Sequence, residues 1–238
     1  MRSALVRVTC ALASAGAIAC SDPGGRSVDM PPPQSASPSP ADGGADAPQN
    51  EPVVQLQIMP GATHSGFDGV HAFRVPVAIY GSADATLAAS DPSMVAIASA
   101  QLVDTSQDNG KYFLVTAKKP GVVTLTASAH GRTVSATLTI ASYTPDEWTT
   151  GEQRYMNAAS SGPPCVQCHS SNGGIDHSPS QMASAADGDI VSVITTGVLV
   201  EGNPITQVRH KWAVNDTEAK GLVAYLRGLA PRGFVGPM

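Results

Sequence analysis

Charge is scarce in this chain: 14% of its 238 residues are Asp, Glu, Lys or Arg, and the net charge is -5. No basic patch is available to displace counterions from phosphates, which excludes a nucleic-acid partner. Aromatic side chains are also few, at 5%. A chain poor in both suits a Ser/Thr/Ala/Val-rich exported β domain better than a cytosolic enzyme. The acidic residues are scattered along the sequence, so nothing resembles a pocket with a paired acid and base. The apolar run from Val8 to Ala19 is too short to cross a bilayer as a stable helix. Cysteine occurs at positions 10, 20, 165 and 168 and nowhere else.

Against that background one stretch stands out, Cys165-Val166-Gln167-Cys168-His169. This is C-x-x-C-H, the attachment signature of c-type haem. Two thiols three positions apart can each add to one vinyl group of a porphyrin. The following residue then brings an imidazole under the iron. A bare C-x-x-C fits zinc, a redox disulfide or haem. The adjacent His, and the lack of a second C-x-x-C to complete a zinc site, favour haem. The competing readings are a lone redox dithiol and a chance C-x-x-C-H in a loop. With Cys165 and Cys168 given to one covalent haem c, no cysteine pair remains for a structural disulfide. Stability must then come from packing and from the cofactor.

Residues 1–20 read as a signal peptide. Arg2 and Arg7 make a positive start, and a short apolar stretch follows. Ala17-Ile18-Ala19-Cys20 resembles a bacterial lipobox, which implies Cys20 as a lipid anchor; the departure is Ala17, where that pattern prefers Leu. The alternative is ordinary cleavage near Ala19. Residues 21–52 are a Pro/Ser/Gly/Ala tether, with Pro31-Pro32-Pro33 and Ser37-Pro38-Ser39-Pro40, and almost nothing apolar to bury. Behind a lipid-bearing Cys, such a tether lifts the folded part off a membrane.

Residues 53–142 change character. Val54, Leu56 and Ile58 alternate with polar neighbours, and Phe73, Val75, Val77 and Ile79 recur at the same period, that of half-buried strands. Further short runs lie at 94–98, 112–117, 122–129 and 133–140. Turn signals separate them, among them Ser90-Asp91-Pro92, Pro120-Gly121 and His130-Gly131. The last two runs read as a hairpin, and the whole as a β-sandwich. Ser90 to Ile97, followed by Ala117 to Ala127, resembles the bacterial Ig-like domain of group 2. That resemblance implies a spacer or docking module and no catalysis. His64, His71 and His130 match no metal spacing and read as surface or turn residues.

A helix is expected from Thr144-Pro145-Asp146-Glu147, with Thr as cap and Pro at the first position, to about Ala158. Residues 187–196 read as a second helix ended by Gly197. A third begins at Asn215, with Glu218 completing a capping box and Leu222, Val223, Leu226 and Leu229 forming an apolar stripe. Residues 146–231 resemble a class I cytochrome c. In that family a Gly and an aromatic on the first helix cross an aliphatic-aromatic pair on the last; Gly151 and Tyr155, then Leu222 and Tyr225, match. The resemblance implies thioethers at Cys165 and Cys168 and His169 as proximal iron ligand. The chain departs from the family at the sixth ligand, for no Met lies between Met182 and Met238. His210 occupies the expected region and is taken as the distal ligand. Met182 is the alternative, His177 stands closer still to His169, and a vacant sixth position is the remaining option.

The expected architecture is therefore multidomain: an all-β Ig-like sandwich followed by an all-α cytochrome c domain. The expected function is one-electron transfer in the bacterial cell envelope, on the periplasmic or outer-surface side, with envelope redox proteins as partners. An electron carrier fits better than a catalyst. The alternatives are a haem enzyme or gas sensor with an open sixth site, and a surface adhesion or binding protein.

Overall fold

The strands follow from alternation and turns. In the computed structural model, which describes residues 55–104, 108–159, 162–169, 176–206 and 210–235, nine strands build two sheets. Residues 1–54, on which the expected signal peptide, the expected lipid anchor at Cys20 and the expected tether fall, lie outside the described residues. The strands are β1 (Gln57–Met59), β2 (Ala62–Phe67), β3 (Arg74–Tyr80), β4 (Thr86–Ala89), β5 (Val95–Leu102), β6 (Lys111–Ala117), β7 (Gly121–Ala129), β8 (Arg132–Ser142) and β9 (Phe234–Val235). One sheet has the order β1-β3-β6-β5-β9, the other β2-β8-β7-β4. The β7–β8 hairpin forms as expected, pairing Ala129 with Arg132 across His130-Gly131. β2 runs parallel to β8. Phe73, Val75, Val77, Ile79, Val115, Val123, Leu125 and Leu138 are almost fully buried in the core between the sheets. Each such side chain contributes about 1.5–3 kcal/mol relative to exposure.

Five helices follow or interrupt the strands: α1 (Pro145–Met156), α2 (Val166–His169), α3 (Pro179–Met182), α4 (Asp187–Thr196) and α5 (Asp216–Gly228). Both expected capping boxes form. Thr144 Oγ1 accepts from the Glu147 amide at 3.2 Å while Glu147 accepts from the Thr144 amide at 2.8 Å. Asn215 and Glu218 do the same at 2.9 and 3.0 Å. α1 crosses α5 where Gly151 meets Gly221. A Cβ on Gly151 would lie 1.8 Å from the Gly221 carbonyl oxygen, so only glycine permits this approach. Tyr155 and Tyr225 then pack with ring centroids 5.2 Å apart. Lys220 pairs with Glu147 across the crossing at 2.6 Å.

The expected division into an all-β sandwich followed by an all-α cytochrome c domain is not what the chain forms. The molecule is mostly β-sheet with few helices, and those helices pack against the sheets within one compact unit. The last strand, β9, comes after the last helix and pairs with β5, Gln101 opposite Val235 and Leu102 opposite Phe234. The described part of Asn50–Met238 is one compact unit. Three local reasons account for this. First, β3 is buried on both faces: Pro76 and Ala78 lie on the face away from Val75 and Val77, and share a cavity wall with Ser180 and Ala183 around α3. Second, the open edge of β2 is satisfied from the helical segment, since His64 N–H donates to the Ala183 carbonyl at 2.7 Å. Unsatisfied edge groups would otherwise be exposed to pairing with other chains. Third, Arg227 of α5 is only 2% exposed.

Arg227 is the hub of the junction. Its Nη2 and Nε donate to Asp187 Oδ1 at 2.9 and 3.2 Å, and its Nη1 to the carbonyls of Met182 at 2.8 Å and His64 at 3.4 Å. Nη2 also donates to the Ala185 carbonyl. Tyr143, at the end of β8, donates its hydroxyl to Asp187 Oδ2 at 2.6 Å. A buried guanidinium must be paired and hydrogen-bonded to be tolerated. Most of its partners here come from α3, the residues after it and the start of α4; β2 adds the His64 carbonyl, and Tyr143 ties Asp187 to the end of β8. A fourth tie involves a residue expected at the surface: the His71 ring stacks on Trp148 of α1 at 3.8 Å and 12°. Asp68 holds it, with Oδ2 2.5 Å from His71 Nδ1.

Candidate haem-binding site

The C-x-x-C-H stretch is a single helical turn. Cys168 and His169 amides donate to the Cys165 carbonyl at 3.2 and 3.1 Å. That turn brings Cys165 and Cys168 to neighbouring positions, three residues apart. Cys165 is half-buried and Cys168 exposed, and both thiols are free. Burial pushes the Cys165 thiol above its ordinary value, with the Arg154 guanidinium acting in the opposite direction.

Three imidazoles from three separate segments converge beside the thiols. The His177 ring stacks on His169, centroids 3.6 Å apart and planes at 27°. The His210 ring stands 6.1 Å from His169 with its plane at 88°. Trp212 packs edge-on to His210 at 4.6 Å. Tyr155 of α1 faces His177 at 6.2 Å. The rings thus sit against the α1–α5 crossing, through Tyr155 and Tyr225.

The position of His210 is set by the end of α4. Trp212 N–H donates to the Ile194 carbonyl at 3.0 Å. Gly197 ends the helix in the left-handed conformation, φ 71°, and a Cβ there would meet the His210 carbonyl oxygen at 2.2 Å. Glycine is required twice over, for the turn and for the approach. Residues 207–209 and 170–175 lie outside the described residues.

Burial dominates the electrostatics. It pushes the His177 pKa down to about 3, helped by the His169 and His210 rings nearby. Burial also lowers His210. Both rings are thereby kept neutral, the form that donates a lone pair to a metal. Nδ1 of His177 and Nε1 of Trp212 are buried without a hydrogen-bond partner.

These residues fit a haem on geometric grounds. A metal-bound imidazole nitrogen lies at about 2 Å, so two rings flanking one metal stand roughly 6 Å apart, centroid to centroid. His169 and His210 match that spacing; His169 and His177, in van der Waals contact, do not. Met182 lies at the end of α3, packed against the hydrophobic core, with its carbonyl bound to Arg227. Among the described residues, no group of three or more His, Cys, Asp or Glu side chains is arranged to hold a bare metal ion. Sequence reasoning missed the His177–His169 stack and the Arg227 hub. Neither leaves a periodic or spacing signal; both are made by tertiary contact. Searched against known protein families and against curated proteins, the chain matches none.

Proposed function

We propose that this chain carries one haem, bound covalently through Cys165 and Cys168, and passes single electrons in the bacterial cell envelope. The observation that carries the reading is the pairing of the Cys165–His169 turn with a second imidazole, His210, 6.1 Å from His169. The bound group supplies reversible one-electron exchange at iron. The protein's residues do the rest. His169 and His210 would hold the iron. Two imidazoles hold the potential below that of a His/Met pair. Trp212 packs edge-on against the half-buried His210 ring and covers part of it. Cys168 is exposed, so a group attached through it would be reachable from solvent.

The location rests on the signal-like residues 1–20, with Cys20 as lipid anchor and residues 21–52 as tether. The sheets, in one unit with the helices, serve as a docking surface. Among the described residues no helix is long and apolar enough to cross a membrane.

The test is an absorption spectrum, oxidised and reduced, with and without carbon monoxide, on chain exported from a host competent in cytochrome maturation. A low-spin c-type spectrum insensitive to carbon monoxide is expected. His210→Ala should give a high-spin haem that binds carbon monoxide; Met182→Ala should stay low-spin. Carbon monoxide binding by the unaltered chain would favour an open-site enzyme or sensor. A colourless product with both thiols free to alkylate would end the proposal.

A further inference from the structure

We infer that His177 is a positioning residue: it fixes the rotation of the His169 imidazole so that the planes of the two axial rings stay close to perpendicular. The inference rests on the haem reading above and deepens it.

The geometry separates the roles of the two neighbouring imidazoles. His177 lies face to face with His169 at 3.6 Å and 27°. A ligand's bond to iron lies in the plane of its ring, so a ring stacked on that plane sits beside the bond and not across the metal. His210, at 6.1 Å and 88°, is the ring placed across. His177 is also held from behind. Asp176 Oδ1 accepts from the Ser178 amide at 2.9 Å, and Ser178 Oγ donates to Asp176 Oδ2 at 2.7 Å. Arg232, beyond α5, pairs with Asp176 at 3.5 Å and donates its amide to Ser178 Oγ at 3.3 Å. Tyr155 closes the remaining side at 6.2 Å. A stack built on so constrained a turn resists rotation of the ring it covers.

Ring orientation has an electronic consequence. Parallel axial imidazoles donate into the same iron d orbital and split the two otherwise equivalent orbitals. Perpendicular rings donate into both and leave them nearly degenerate. Ferric low-spin haem with near-degenerate orbitals shows one strongly anisotropic resonance at large g; parallel rings give a three-line rhombic spectrum.

The experiment is electron paramagnetic resonance on the haem-loaded full chain. The unaltered protein should show the large-g signal. His177→Phe keeps a ring in the stack but has no nitrogen to ligate, and should retain that signal. His177→Ala should lose it, in part or whole, in favour of the rhombic form, while remaining low-spin. A His177→Ala protein with the unaltered large-g signal would overturn the inference, and so would a rhombic signal in the unaltered protein. A high-spin His177→Ala and His177→Phe pair would overturn it too, by making His177 a ligand. Failure of the unaltered chain to take up haem sinks the parent reading instead, and is distinguishable because no low-spin signal exists in any variant.

Discussion

Exchanging one hydrogen for a methyl group should cost stability at one glycine and none at another. An ideal Cβ on Gly151 would lie 1.8 Å from the Gly221 oxygen, 2.3 Å from its carbonyl carbon and 2.9 Å from Leu222 N. A carbon–oxygen contact needs about 3.3 Å, so α1 and α5 must part by roughly 1.5 Å. The obstruction is main chain, which cannot swing aside. Overpacking of this kind costs about 1–3 kcal/mol, and alanine's better helix propensity returns only about 1. We take the upper end of that cost, giving a net loss of about 2 kcal/mol for Gly151→Ala. That is a fall in Tm of roughly 4–8 °C for a unit of this size. Gly188, in the first turn of α4, has nothing within 4 Å of its would-be Cβ. Gly188→Ala should be neutral or stabilise by up to about 1 kcal/mol. Urea unfolding of the unloaded chain measures both, with an unchanged slope showing that stability alone moved. If Gly151→Ala proved as stable as the unaltered chain, the close crossing of α1 and α5 would be wrong.

Other consequences are open to measurement. Arg227→Met leaves the carbonyls of Met182, Ala185 and His64 without their donor, while Asp187 keeps partial access to water; it should cost about 1–3 kcal/mol, read by urea denaturation, and no measurable effect would deny the hub. Residues 143–238 expressed alone should lack a cooperative unfolding transition, whereas the whole chain should show a single one by calorimetry; two separate transitions in the whole chain would restore independent domains. Burial, chiefly, pushes Tyr155 up to about 12 and raises Tyr143 as well. The unfolded chain therefore sheds phenolic protons near pH 10 while the folded chain keeps them, so stability should fall between pH 10 and about 12. Tyr155→Phe should flatten that decline, and an identical profile in the variant would refute the assignment.

The C-x-x-C-H turn, the hairpin at His130-Gly131, both capping boxes and the Gly197 stop were legible because each is local. A cap needs its partner three residues on, a strand its own alternation, an attachment motif five consecutive residues. The crossing of Gly151 was legible in part: the sequence pointed to a close approach to the last helix around Leu222, and the helices meet one residue earlier, at Gly221. Three strands were not legible. β2 carries Thr63 and Ser65 inward, both 1% exposed, so its buried face is polar and lacks the apolar alternation of a strand. β4 has only four residues, and β9 only two.

Local pattern alone set most of the elements and the thiol-imidazole motif of this chain. Whether the helices stand apart from the sheets was decided only in three dimensions. Arg227 reads in sequence as a favourable cation in the last turn of a helix. Folded, it is buried, and its compensating oxygens come from residues up to 163 positions away. The same holds for His177, whose place against His169 depends on a turn pinned by Arg232. Charge burial and ring stacking are satisfied by whichever groups arrive in space, and sequence spacing carries no record of them.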